Sequence, residues 1–166
     1  MIEVEITENI LEKAKRKASS MGRINNSITK GQGNIAGFIG EEVANLFIGG
    51  NMSNTYDYDI VKDDIKIDVK TKRCTSPPRE YYDCSIAELS THQKCDRYIF
   101  VRVEWDKNKP DEWKRSWVLG QIDKKEYFKK AVKLNKGDVD KSNNFVVKAN
   151  CYNLKISELH PIERKI

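Results

Sequence analysis

Between Tyr56 and Lys72 the chain alternates between polar and apolar residues, and this pattern constrains the fold more than any other stretch. The alternation predicts two strands, over Tyr56 to Val61 and over Ile65 to Thr71, with Asp63-Asp64 as a two-residue hairpin turn. Lys62 then stands opposite Ile65, Asp59 opposite Asp68, and Asp57 opposite Lys70. Successive side chains on a strand point to opposite faces, so Asp57, Asp59, Asp68 and Lys70 share one face. Ile65, Ile67 and Val69 share the other, which is apolar and predicted to pack on the core. A longer turn would slide the pairing without changing the parity of Asp68 and Lys70.

Side chains directly opposed on paired strands lie about 5 Å apart at Cβ. Two carboxylates at that spacing repel, and one of them is pushed to hold its proton. A divalent cation removes the conflict, because closely spaced oxygen donors suit Mg²⁺. Lys70, two residues beyond Asp68, would then sit beside the same site. From there its ammonium can orient or deprotonate water, or counter charge on a phosphate oxygen. The competing reading of an alternating Asp/Lys strand is a solvated face of mixed charge.

The rest of the chain supplies one ordinary domain around this hairpin. At 166 residues it is long enough for a core without disulfides. A helix is predicted from Thr7, its N-cap, to Ser20, with Ile10, Leu11, Ala14 and Ala18 on one face. Gly22 to Gly33 reads as a loop, and its Ser27–Asn34 part could approach a phosphate backbone at a helix start. A second helix is predicted from Asn34 to Ile48, with Ile35, Phe38, Ile39, Val43, Leu46 and Phe47 inward and Gly49-Gly50 ending it. A short helix is expected over Ser85 to Lys94. Strands are expected at Arg97 to Glu104, Arg115 to Gln121, Phe145 to Ala149 and Tyr152 to Ile156. Asp123 is expected to cap a helix reaching Val132, and Lys133 to Asn144 to form a polar loop. The expected fold is α/β or α+β, a central mixed sheet flanked by helices.

Thirty basic residues against twenty-five acidic ones give a net charge of +5, compatible with a polyanionic partner. No apolar run is long enough to span a bilayer. The first residues do not read as a secretory signal, so a cytoplasmic location is expected, that of the host if the protein is viral. Cys74, Cys84, Cys95 and Cys151 read as reduced thiols. A metal cluster of Cys74, Cys84, His92 and Cys95 is the sharper alternative, and it lacks an anchoring CxxC pair. Lys72, Arg73 and Arg79 could extend a basic strip beside the hairpin. Tyr81, Tyr82, Tyr98, Trp105, Trp113 and Trp117 could stack on bases, with core or edge packing as the ordinary reading. His92 reads as surface and His160 as structural.

Asp59, then Asp68-Val69-Lys70, resembles the motif of the PD-(D/E)xK nuclease superfamily, the restriction-endonuclease-like fold. Gly40-Glu41-Glu42-Val43-Ala44 is similar to the Gly-Glu-x-x-Ala run that many members carry on the preceding helix. The resemblance covers residues 34 to 103, and Tyr58 stands where the motif has proline. It implies a single nuclease domain over residues 1–166, with a catalytic core at about 34–105 and accessory strands and helix at about 113–166. It implies an endonuclease that hydrolyses phosphodiester bonds in DNA with Mg²⁺, for which Mn²⁺ substitutes. Glu41, Asp59 and Asp68 would hold the metal, with Glu42 competing with Glu41 and Asp57 with Asp59. Lys70 would position the nucleophile and Gln93 would support it. Duplex or branch cutting makes a homodimer plausible. The rival expectations are a nucleic-acid-binding module of the same fold without activity and a phage interaction protein whose acidic hairpin is only surface.

Overall fold

The structure is a computed structural model, which describes residues 1–22, 32–53 and 55–163. In chain order the elements are β1 (Ile2–Glu5), α1 (Glu8–Gly22), α2 (Gln32–Ile48), β2 (Asn51–Met52), β3 (Ile60–Lys62), β4 (Ile65–Cys74), β5 (Asp83–Ala87), β6 (Arg97–Glu104), β7 (Arg115–Asp123), α3 (Lys124–Lys130), β8 (Val132–Leu134), β9 (Val139–Asp140), β10 (Phe145–Val146) and β11 (Cys151–Lys155). Six strands form one sheet in the order β1-β7-β6-β4-β3-β2, parallel between β4 and β6 and antiparallel elsewhere. β5, β11 and β8 form a second sheet, and β9 and β10 a separate ribbon. This is an α+β fold with a central mixed sheet.

The hairpin has the expected register: Lys62 pairs with Ile65, Val61 with Lys66, and Ile60 with Ile67. Asp63 and Asp64 have φ of 49° and 63°. A turn with positive φ at both central residues matches the right-handed strand twist, and aspartate tolerates that region better than most residues. The first strand is shorter than expected. Residues 56–59 leave the ladder, and only the Asp59 amide continues it, donating to the Ile67 carbonyl at 2.9 Å.

Two cores lie on the two faces of the main sheet. Ile67, Val69, Ile99 and Val101 pack with Ile39, Val43 and Phe47 of α2 and Ile10 and Ala14 of α1. Tyr98, Phe100, Trp117 and Leu119 pack on the other face with Tyr127 of α3 and with Cys84, Ile86 and Leu154 of the second sheet. Asp68 and Lys70 pair in register with Tyr98 and Phe100, so they project toward this second layer. The alternation along β4 therefore separates the face that packs on α1 and α2 from the face that carries Asp68 and Lys70.

Thr7 caps α1 through its hydroxyl, which accepts from the Ile10 amide at 3.3 Å. α2 ends at Gly49, whose φ is +59° and whose amide donates to the Asn45 carbonyl at 2.8 Å. Gly40 sits where α2 meets β4. A Cβ there would fall 1.9 Å from Thr71 Oγ1 and 2.9 Å from Thr71 Cβ. Gly40→Ala should therefore destabilise by about 1–3 kcal/mol, overcrowding outweighing alanine's better helix propensity. Thermal unfolding measures this, and adding Thr71→Ala should recover part of the loss. An unchanged or higher Tm for Gly40→Ala would show that the helix is free to shift off the sheet.

Several expectations are corrected. Leu46 points outward, 47% exposed. The helix expected over Ser85 to Lys94 is strand β5 followed by a single 3-10 turn at Glu88–His92. Cys84 and Ile86 are buried and pair with β11, and this tertiary partner overrides the local signal. The expected loop from Lys133 to Asn144 contains the end of β8 and all of β9. β7, expected among accessory elements, lies inside the main sheet between β1 and β6. Asp123 precedes α3 without capping it and instead holds the Arg97 guanidinium at 2.9 Å.

The cysteines are free thiols. Burial holds the thiol of each above its ordinary range, Cys84 up to about 12. Trp113 and Trp117 are buried, and the Trp105 indole donates to the Pro110 carbonyl at 3.3 Å. His160 binds Glu126 at 2.9 Å, and its backbone bridges to Gln121. No helix of the described residues is long and apolar enough to cross a membrane.

Candidate active site

Three carboxylates come together where α2 passes the open end of the β3–β4 hairpin. Glu41 is buried, 8% exposed, on the α2 turn that Gly40 seats against Thr71. Asp59 is half-buried just before β3, and its Oδ2 accepts from the Val69 amide at 2.7 Å. Asp68 is buried on β4, 4% exposed. Glu41 and Asp68 each act on Asp59 by charge repulsion. Desolvation first, and then the Glu41 and Asp68 charges, push the Asp59 carboxyl up to about 8. Glu41 is also raised above its usual range, chiefly by burial, against the pull of a lysine.

Two ammoniums offset these charges. Lys70 Nζ lies 2.6 Å from Asp68 Oδ2, an ion pair whose geometry leaves that oxygen without a hydrogen bond. The same ammonium donates to Gln93 Oε1 at 2.7 Å. Lys17, from α1, pairs with Glu41 and stands 4.8 Å from the centre of the Phe38 ring.

Gln93 is locked into its role beside Lys70. Its Nε2 donates to the Tyr56 carbonyl at 2.7 Å. The Lys124 ammonium ties down the turn beneath it, donating to the carbonyls of Thr91 and Gln93. The Lys94 amide donates to Asp57 Oδ1 at 2.9 Å, joining the same turn to the segment before β3.

The structure thus brings Glu41, Asp59, Asp68, Lys70 and Gln93 into one neighbourhood and separates them from their competitors. Asp57 is engaged in the loop contact with Lys94. Glu42 faces Lys13 at 3.7 Å, away from the cluster. His92 lies on the 3-10 turn outside the group. The Ser27–Asn34 stretch falls mostly outside the described residues.

Among the described residues, no group of three or more His, Cys, Asp or Glu side chains stands ready-made as a metal cage, at the carboxylates or at the cysteines. At the carboxylates the reason is local: Glu41 and Asp68 are turned onto Lys17 and Lys70. The donor set still suits a hard cation. It is all oxygen, it is largely buried, and it holds an Asp68 oxygen lacking a hydrogen bond and an Asp59 carboxyl that keeps its proton for want of positive charge. No family model matches the chain, and no curated protein matches it.

Lys17 was not singled out from sequence. It lies among Lys13, Lys15 and Arg16 on a basic helix, and nothing local distinguishes it. Arg102 was also passed over, although an arginine inside the apolar run Tyr98 to Val103 was a visible signal.

Proposed function

We propose that the protein is a metal-dependent nuclease that hydrolyses phosphodiester bonds in DNA, with Glu41, Asp59 and Asp68 as cation ligands. The observation that carries this reading is the clustering of three largely buried carboxylates, one held protonated near neutral pH, beside an ammonium fixed by Gln93. Such a cluster opposes folding unless a cation or proton neutralises it, and perturbed carboxylates of this kind gather at functional sites. The likeness of Asp59…Asp68-Val69-Lys70 to the PD-(D/E)xK motif supports the same reading.

A divalent cation bound there would polarise a phosphate oxygen and lower the pKa of water. Asp68 and Asp59 would face it from the hairpin and Glu41 from the helix, after leaving Lys17. Lys70, freed from Asp68 but still held by Gln93, would orient the attacking water or balance charge on the phosphate. Gln93 acts through Lys70 by fixing the direction of its ammonium. Cutting both strands of a duplex would take two copies, and we propose a homodimer for that case.

Of supercoiled, linear, single-stranded and branched DNA incubated with Mg²⁺ or Mn²⁺, at least one form should be cut by the wild-type protein and spared in EDTA. Calorimetric titration with Mn²⁺ should show binding. Absence of both cleavage and Mn²⁺ binding defeats the proposal. One observation favours a second reading, binding without cleavage: Lys17 and Lys70 already balance two of the three carboxylates. That reading predicts DNA binding with no Mn²⁺ uptake.

A further inference from the structure

The face that bears Asp68 and Lys70 continues along β4 to Lys72, and the register sets Lys72 directly beside Arg102 on β6. Like charges on neighbouring strands destabilise a sheet. Arg102 is moreover only 6% exposed, and a buried guanidinium is costly without a counter-charge. Its Nη2 donates to the Asp83 backbone carbonyl at 2.6 Å, but no carboxylate pairs with it among the described residues. Lys72 is exposed along much of its length, and no hydrogen bond or ion pair reaches its ammonium among the described residues. Desolvation against the groove wall, and then the Arg102 charge, hold that ammonium below its usual range. The Asp83 carboxylate is taken by Lys155 at 2.8 Å, and Asp140 by the Ser142 amide and hydroxyl.

Both cations line a cavity of about 580 Å³ between the main sheet, the second sheet and the β9–β10 ribbon. A small pocket of about 50 Å³ shares Lys72 and Arg102 with this cavity and has Lys70, the ion-pair partner of Asp68, in its lining. On the outer wall Tyr81 is 61% exposed, braced edge-on by Tyr82 with ring centres 5.1 Å apart.

We propose that Lys72 and Arg102 form a phosphate subsite for an unpaired nucleic-acid strand, one nucleotide along from Lys70, with the flanking base stacked on Tyr81. The proposal rests on the nuclease reading and names the form of substrate that this site takes. Side chains two residues apart on a strand are separated by about 6.6–6.8 Å, which matches the step between successive phosphates of one strand. A cavity of this volume is of small-ligand size, so it encloses a nucleotide and not a duplex. Base stacking on an exposed aromatic ring is a sequence-tolerant way to hold such a strand.

The test is fluorescence anisotropy with a labelled single-stranded oligonucleotide, in EDTA so that nothing is cut. Lys72→Gln should weaken binding about three- to tenfold and flatten the salt dependence by roughly 0.7, the share of one phosphate on a single strand. Tyr81→Ala should weaken binding by a similar factor, and Lys15→Gln, on the far helix, should leave it unchanged. Lys72 and Tyr81 are exposed, so neither change threatens the fold, and thermal unfolding verifies this. Equal affinity and salt slope for Lys72→Gln and wild type overturn the subsite. Duplex binding as tight as single strand, or displacement by a mononucleotide as effective as by the oligonucleotide, overturns its assignment to an unpaired strand. Cleavage with Mg²⁺ is scored separately. A strand that binds through Lys72 but is never cut defeats the nuclease reading alone, and cutting that ignores Lys72 defeats the subsite alone.

Discussion

Asp68→Asn should abolish Mg²⁺-dependent cleavage, lowering its rate by at least about a thousandfold. A metal at the scissile phosphate is worth several kcal/mol of transition-state stabilisation, and each 1.36 kcal/mol is a factor of ten. Asp68 is the most buried of the three carboxylates, and its Oδ2 has the Lys70 ammonium beside it and no hydrogen bond. Asparagine keeps its shape and removes its charge. Lys70→Gln should cost about a hundred- to a thousandfold, the usual worth of one group that stabilises developing charge. Glutamine is preferable to methionine there, because an apolar replacement would strand the buried Asp68 carboxylate and cost folding stability. Gln93→Ala should cost less, about tenfold, and Lys70 should account for the loss: in a Lys70→Gln background the Gln93 change should add little. Single-turnover cleavage at saturating Mg²⁺ measures these four variants beside the wild type, with thermal unfolding as the check on folding. A wild type that cuts while Asp68→Asn cuts within a fewfold of it would remove Asp68 from the metal and the motif from the mechanism.

The hairpin was legible because its determinants are local. Alternation sets the faces, and a two-residue turn of aspartates sets the register, so Asp68 and Lys70 share one face whatever the tertiary contacts. The helix end at Gly49 and the cap at Thr7 are local in the same way. The second sheet was not legible. Among the described residues β5 and β8 pair only with β11, which follows far along the chain, and Ser85 to Leu89 carries no strong strand pattern of its own. Lys17 marks the same limit at the site. Its contact with Glu41 spans 24 residues and depends on how α1 crosses α2, and side-chain spacing within α1 cannot reveal it. Asp59 and Asp57 part company where the chain leaves the ladder at residues 56–59. There Asp57 accepts from the Lys94 amide and Asp59 stays with Val69.

Asp59 sets the second large effect, on stability against pH. Its carboxyl sits at about 8 in the folded protein against an ordinary 3.8. The folded state therefore holds a proton that the unfolded chain has released across that window, and stability falls as pH rises. The favourable contribution is whole below about pH 4 and gone once pH passes about 8. Asp59→Asn stays neutral throughout and still offers an oxygen to the Val69 amide. It should flatten the metal-free profile between pH 4 and 8 and raise Tm at pH 8 by several degrees, since 1 kcal/mol is roughly 2–4 °C for a chain of this size. Mg²⁺ should act unequally on the two proteins. At about a hundred times its Kd it would stabilise the wild type by roughly 2.7 kcal/mol at pH 8, and it should do far less for Asp59→Asn. The variant would then be the more stable protein without metal and the less responsive one with it, as expected of a carboxylate kept for a cation at a cost to folding. Thermal unfolding at pH 5 and pH 8, with Mg²⁺ and with EDTA, reads every arm. An unaltered pH slope in Asp59→Asn, together with an undiminished response to Mg²⁺, would mean that this carboxylate neither strains the fold nor meets the metal.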